Sequence, residues 1–283
     1  MTMDPAPRPW SRRAVVAAAV LAAMPSAVRA AAPPSRIASL GGAVTEILYR
    51  LGAGDRIVAV DTTSLFPEQA LREKPNVGYL RALSAEGLLS AGPDLVIAAE
   101  GAGPPDVLAL VREAGVPVSV VREPPTPEGV LDKIVTVGRL AGLGPQADAL
   151  AGEVAAQFAV LDRHRARIAR PARALVVLSL TSGRVMVGGR GSTADGILAL
   201  AGIDNAAAGI EGFKPIGDEA ILAAAPDAVV MMRNGPDAPG EAAAFAPGTA
   251  LGRRRRRRGT PSSRWTASTS SASARAPRMP HAT

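Results

Sequence analysis

The chain has no cysteine in 283 residues. That absence excludes disulfides, thiolate metal sites, cysteine nucleophiles and a lipidated N-terminal cysteine. Histidine is confined to His164 and His281, too few for a polyhistidine metal site. Aromatic residues make up 3% of the chain, with two Trp, two Tyr and four Phe, so any aromatic in a binding cleft is conspicuous. What is present is apolar: 47% hydrophobic against 20% charged residues, which rules out a disordered chain. The length supports a large core and about two lobes.

The net charge of +7 sits at the ends. Residues 251–283 hold nine arginines and no acid, and residues 1–30 hold four arginines and one acid, which leaves −5 for residues 31–250. The body is mildly acidic, so the basic total gives no reason to expect nucleic acid as a partner.

The N-terminus reads as an address. Arg12 and Arg13 precede the apolar run AVVAAAVLAA (14–23), and VRA (28–30) is an A-x-A-like cleavage site. Ten apolar residues are too few to span a bilayer, which takes about 20. Residues 1–30 are therefore expected to be a signal peptide cleaved after Ala30, of the Sec or twin-arginine type. The expected product is exported and periplasmic.

The body repeats one unit. RIASLGG from Arg36 is a short strand ending in glycines, AVTEILYRLG (43–52) has helical spacing, and RIVAV (56–60) is the next strand. In the second half, ARALVVLSL (172–180) is a strand. STADGILALAG (192–202) is a helix capped by Ser192 or Thr193, with Ile197, Leu198 and Ala201 expected inward. The clearest repeat is EGLLSAGPDLVI (86–97) against EAILAAAPDAVV (219–230): Glu, a short helix, Pro-Asp, then a buried parallel strand. A Gly-aromatic pair, Gly78-Tyr79 or Gly212-Phe213, stands ahead of each. Between the halves, 131–143 and 147–168 have helical periodicity, and the second is about 33 Å long at 1.5 Å per residue.

Alternating strands and helices predict an α/β fold: two similar lobes with parallel central sheets joined by one long helix. The expected boundaries are an N-terminal lobe 31–140, a connecting helix 141–170 and a C-terminal lobe 171–250. Small ligands favour the cleft between such lobes, at the C-terminal ends of the strands.

This layout resembles the substrate-binding proteins of bacterial ABC importers that carry corrinoids, iron–siderophores and haem (class III periplasmic binding proteins). The likeness covers residues 36 to about 250. VGYLRALSAEGLLSAGPDLVIA (77–98) is similar to the haem-binding members, in which a GYxRxLSxEGxLxLxPD pattern supplies the iron ligand. The resemblance implies Tyr79 as axial ligand of ferric haem and Arg81 as its neighbour. Phenolate is a hard anionic donor that suits Fe(III). In an extended loop Tyr79 and Arg81, at i and i+2, would point to one side. By the repeat, Phe213 is expected to supply an apolar wall and Lys214 a propionate partner. In the wider family the acids equivalent to Glu86 and Glu219 meet arginines of the permease, which implies a docking role for both here. The implied partners are an ABC permease dimer with its ATPase and an outer-membrane haem uptake system, with the protein acting as a monomer.

Other residues read as structural. Tyr49 packs in the first helix, His164 between two arginines is solvated, and Met186, Met231 and Met232 belong to the core. GGRGS (188–192) reads as a cleft-lining turn able to meet a carboxylate, without the lysine of a P-loop. No catalytic constellation emerges, so no enzyme is expected. The alternatives are a corrinoid or siderophore carrier of the same fold, and an exported protein whose basic tail binds nucleic acid or lipid.

The tail 251–283 does not fit the fold. Arg253 to Arg258 are consecutive, and Ser, Thr, Ala and Pro follow without periodicity. Serine codons of the TCN type read two bases later encode Phe, Leu, Ile or Val. From Trp265 that shift allows VDGLYLLGFGPRTAHA, which resembles the family's terminal strand and helix. The tail is therefore read as a frameshift product, which would leave the second lobe incomplete.

Overall fold

The computed structural model describes residues 32–181 and 184–231. The expected signal peptide, Met232, the end of the second lobe, the tail and His281 lie outside the described residues. In chain order the elements are β1 Ile37–Leu40, α1 Gly42–Arg50, β2 Ile57–Val60, α2 Gln69–Glu73, β3 Gly78–Tyr79, β4 Ala82–Leu83, α3 Ala85–Ser90 and β5 Leu95–Ala99. Then come α4 Pro105–Glu113, β6 Val118–Val121, α5 Pro127–Leu140 and α6 Gly144–Arg165. The second half adds β7 Arg173–Thr181, β8 Arg184–Gly188, α7 Thr193–Leu200, β9 Asp204–Asn205, β10 Phe213–Ile216, α8 Asp218–Ala224 and β11 Ala228–Met231.

The first sheet is parallel throughout, in the order β2-β1-β5-β6. Its central strands are buried on both faces, so alternate residues feed two cores. Ile37, Ile97 and Ala99 enter one core with Val44, Ile47 and Leu48 of α1. Ala38, Leu40, Val96 and Ala98 enter the other with Leu88, Leu108 and Val111. Each Ile or Leu buried in this way contributes roughly 1.5–3 kcal/mol.

The second sheet corrects the expectation of two parallel sheets. Its order is β10-β8-β7-β11, with β9 beside β7. β7 pairs β11 and β9 in parallel, but β8 runs antiparallel to both β7 and β10. Thr181 pairs with Arg184, and so short a connection can only make a hairpin, because a parallel crossover needs a dozen or more residues. α7 also differs: Ala194 and Leu198 are its buried residues, while Ile197 and Ala201 are exposed. Gly196 of this helix leaves no room for a Cβ against the Pro125 carbonyl. That close approach turns the Ala194–Leu198 stripe, rather than Ile197, onto Ala174 and Val176. β11, expected to be buried, alternates exposed and half-buried residues; β7 is its neighbour among the described residues.

α6 has the expected length of 22 residues but starts at Gly144, because Pro145 is tolerated in a first turn. Its Ala147 and Val154 belong to the first core. Arg165 at its far end and Ile168 just beyond it crowd the place where a Cβ on Gly202 of the second lobe would stand.

The repeated Pro-Asp has a common task in both halves. Asp94 Oδ2 accepts from Ser35 N (2.7 Å) and Ser35 Oγ (2.9 Å), Oδ1 accepts from Arg36 N (3.1 Å), and Asp94 N donates to Arg36 O (2.8 Å). Asp227 Oδ2 accepts from Arg173 N (3.0 Å), and Asp227 N donates to Arg173 O (2.7 Å). Each aspartate thus clamps the start of its lobe's first strand. Burial acts to raise the Asp94 pKa, and the bonds from Ser35 and Arg36 outweigh it, leaving it lowered. A lowered folded-state pKa stabilises fully above the unfolded value, about 3.9, and the benefit is lost as pH falls through the folded value. Asp94→Ala is therefore expected to cost about 1 kcal/mol at pH 7, a melting shift of ~2–4 °C that narrows below pH 4. Thermal melts of both proteins across that pH range check it.

Candidate ligand-binding site

Three loops gather where the first parallel sheet ends. β2 runs into Asp61, whose side chain is fully buried. Its Oδ1 accepts from Gly41 N (2.7 Å) and Ser64 Oγ (3.0 Å), and its Oδ2 from Thr63 N (2.9 Å) and Thr63 Oγ1 (2.6 Å). Ser64 Oγ continues to Thr45 Oγ1 (2.8 Å), and Thr45 to Ser39 Oγ (2.7 Å). A buried carboxylate is tolerated only when its acceptor sites are filled, as they are here. Gly41, at φ 110°, lies so close to Ala99 that a Cβ would fall 2.5 Å from the Ala99 Cβ.

The segment carrying Tyr79 hangs from this loop. Val60 N donates to Pro75 O and Val77 N to Val60 O, both at 2.9 Å. Gly78 N donates to Asn76 Oδ1 (2.9 Å), and Thr62 N donates to Gly78 O (2.9 Å). Gly78 adopts φ 104°, a region other residues avoid. β3 and β4 then form a hairpin in which Tyr79 pairs with Ala82. Gly103 holds it from below, its N–H donating to Leu80 O (2.9 Å) and its carbonyl accepting from Leu83 N (2.9 Å). Val77 and Leu83 are buried, while Tyr79 is 52% exposed, with no hydrogen-bond partner for its hydroxyl among the described residues.

Arg81 requires a correction. The shared side with Tyr79 assumed an extended loop, whereas Leu80 and Arg81 form the two-residue turn of the hairpin. Strand alternation does not carry through a tight turn, so the spacing no longer aligns the two side chains. Arg81 remains exposed on the same hairpin. Ser84 caps α3 by accepting from Gly87 N (3.1 Å), which sets Glu86 in the first turn. Glu219 holds the same place in α8. Both acids are exposed, and neither forms an ion pair among the described residues.

In the second lobe Phe213 opens β10 opposite Gly188, and its ring edge lies 3.2 Å from where a Gly188 Cβ would stand. Phe213 and Lys214 are both exposed, but consecutive strand residues point to opposite faces. They face opposite sides of the sheet, so the apolar wall expected of Phe213 and the propionate contact expected of Lys214 would lie on different faces. The GGRGS turn is likewise occupied by the chain itself: Gly191 N donates to Asp195 Oδ2 (3.0 Å), and Ser192 Oγ accepts from Asp195 N (3.3 Å). Arg190 is exposed beside it, its backbone bonded to Ile210 O and Gly212 N. Among the described residues no hydrogen bond or ion pair joins the first-lobe set to Phe213 or Lys214.

Of the residues read as structural, Tyr49, His164, Met186 and Met231 lie among the described residues. Tyr49 packs on the first core with Gly54 against its ring, and its pKa is raised by burial and by Glu73 and Asp55. His164 is exposed and Met186 and Met231 are half-buried. A concavity of about 670 Å³ lies elsewhere, lined by Asp162, Arg165, Asp195 and Asn205 among others, and shares no residue with the loops above. Its polar groups pair internally, Arg165 with Asp162 and Asn205 with Asp195. Among the described residues no group of three His, Asp or Glu could hold a metal ion. Sequence reasoning missed Asp61, one of whose donors, Gly41, lies 20 positions away, and Phe66, which is 42% exposed. The scarcity of aromatics was the signal that could have found Phe66.

Comparisons with known proteins agree with this architecture. The profile described as periplasmic binding protein matches residues 37–246. The chain is similar to the apo structure of the periplasmic heme-binding protein RhuT from Roseiflexus sp. RS-1: 38% identical, TM-score 0.72, covering 78% of this chain and 87% of that one. It is 28% identical over 200 residues to the ABC transporter substrate-binding lipoprotein YvrC of Bacillus subtilis, covering 70% of this chain and 63% of the relative. It is 39% identical over 101 residues to the vitamin B12-binding protein of Vibrio cholerae, covering 36% of each. The match thus spans less than two thirds of either curated relative's length.

Proposed function

The chain belongs to the periplasmic binding protein family, and from that premise we propose that it captures ferric haem outside the cytoplasm and delivers it to an ABC importer. It is a binding protein and not an enzyme. The observation that carries the haem reading is Tyr79: an exposed phenol whose hydroxyl has no hydrogen-bond partner among the described residues, on a hairpin pinned at Gly78, Leu80 and Leu83. Its neighbour in structure, the protein from Roseiflexus, is described as heme-binding. A phenolate oxygen is a suitable axial donor to ferric haem, and the metal displaces the phenolic proton on binding. The pinned hairpin spares the backbone part of the ordering cost at the moment of capture.

Titrating the exported protein with hemin tests the reading. Saturable uptake with a high-spin ferric spectrum supports it. Failure to take up hemin, with binding of cyanocobalamin or a ferric siderophore instead, overturns it. The corrinoid reading is the second one, favoured by the similarity to the vitamin B12-binding protein.

Delivery requires docking to the permease dimer, and Glu86 and Glu219 are the residues proposed for it. Each is an exposed acid at an equivalent place in its lobe, a charge pattern that suits a two-fold partner. Reversing both charges to Lys is expected to lower hemin uptake by reconstituted importer about tenfold or more, with hemin affinity unchanged. Unchanged transport would leave the acids only their favourable place at the positive end of the helix dipole.

A further inference from the structure

We infer that Phe66, with Leu65 beside it, is an apolar wall of the same ligand site, supporting the flat ring of the tetrapyrrole rather than its metal or its carboxylates. This rests on the haem reading.

Aromatic residues are scarce, and their placement is uneven. The described residues contain five: Tyr49, Phe66, Tyr79, Phe158 and Phe213. Tyr49 and Phe158 pack against the first core. The other three are 52% (Tyr79), 42% (Phe66) and 41% (Phe213) exposed. Two of these three are the residues that the repeat already singles out. Leu65 is also exposed, at 53%, so the chain shows water two large apolar side chains in succession. Leaving each half exposed forgoes part of the stabilisation that full burial would give.

The loop that carries them is not free to fold them away. Thr63 and Ser64 are tied to the buried carboxylate of Asp61, and Leu65 N donates to Thr63 O (2.8 Å). Immediately beyond, Ala70 of α2 is fully buried and anchors the other side. A loop held at both ends that still exposes Leu65 and Phe66 presents a preformed apolar surface.

Its position links it to Tyr79. Thr62 N bonds Gly78 O, the carbonyl just before Tyr79. Phe66 is four residues from Thr62, so their Cα atoms are at most about 14 Å apart. The 61–66 loop follows the C-terminal end of β2, and Asn76, just before the hairpin, bridges Val60 at that same end, where open α/β sheets place their ligands. A porphyrin ring is broad, flat and apolar, and an aromatic side chain can cover its face or edge without asking for a hydrogen bond.

The test compares hemin with iron-free protoporphyrin IX on the full exported chain. Phe66→Ala is expected to weaken both about tenfold and to leave the high-spin ferric spectrum unchanged, because the contact is with the ring. Phe66→Leu is expected to fall between the two. Tyr79→Phe, in contrast, should weaken hemin alone. Equal affinity of wild type and Phe66→Ala for both porphyrins would overturn the wall while leaving the haem reading intact. A loss confined to hemin would also overturn it. A wild-type protein that takes up neither porphyrin would remove the haem reading, and this inference with it. Should Phe66→Ala melt far below wild type, affinities of Phe66→Leu and Leu65→Ala decide the matter by the same criteria.

Discussion

Tyr79→Phe is expected to lower hemin affinity by about a hundredfold or more and to abolish the high-spin tyrosinate spectrum. Substitutions beyond the ligand shell of a metal commonly cost about 10–100-fold, and removing the donor atom itself costs at least as much. The substitution deletes one oxygen and little else. Tyr79 is half out of the protein and its hydroxyl bonds nothing among the described residues, so the melting temperature should stay within about 2 °C of wild type. Tyr49→Phe is the matched control. That ring lies against the first core with Gly54 beneath it, and its hydroxyl also lacks a partner among the described residues. It should leave hemin binding untouched. Absorption titrations of the three proteins settle the point: a Tyr79→Phe protein with wild-type affinity and spectrum would remove the iron ligand from this hairpin.

Asp61→Ala is expected to be the most damaging substitution to stability, by about 3 kcal/mol, or a melting shift of roughly 6–12 °C. Four donors converge on that carboxylate inside the fold. Alanine leaves Gly41 N, Thr63 N and two hydroxyls without their acceptor, and each buried orphan costs about 1–3 kcal/mol, partly recovered by relaxation and water. Asp61→Asn keeps an acceptor but turns an amide group toward donors, so about half the loss is expected. The same change should reach the ligand. With the 61–66 loop released, the Thr62–Gly78 bond no longer holds the Tyr79 hairpin at a fixed place. Hemin binding should weaken about tenfold at a temperature where the variant is still folded. Thermal unfolding together with hemin titration separates the outcomes: a destabilised protein with unchanged affinity would make Asp61 a purely structural knot.

How far the chain could be read in advance varied with the range of the interactions involved. The unit around Pro93-Asp94 and Pro226-Asp227 was visible as a repeat, but its task was not. The clamp on Arg36 and on Arg173 joins residues more than fifty positions apart. The long α6 followed from helical periodicity, three residues out of place, and the strands β1, β2, β5 and β7 followed from short apolar runs. The direction of β8 did not, although the Ser182-Gly183 pair between two apolar runs carries a turn signal. Arg81 was misplaced because an extended loop was assumed where a two-residue turn stands. Phe213 and Lys214 follow one another in sequence, and only the strand's alternation shows that they face opposite sides.

The amino-acid order by itself determined the alternation of elements, the acidic body between basic ends, and the Gly-aromatic pair that stands ahead of the repeated helix in each half. These depend on spacing of a few residues, and helices, strands and caps obey rules of that range. Only the folded chain decided which way β8 runs, how Asp61 collects donors from residues 41, 63 and 64, and that Phe66 stands exposed on the loop bonded to Gly78. Such facts arise when buried polar groups must find partners and crowded faces must find room, and both are settled by neighbours in space.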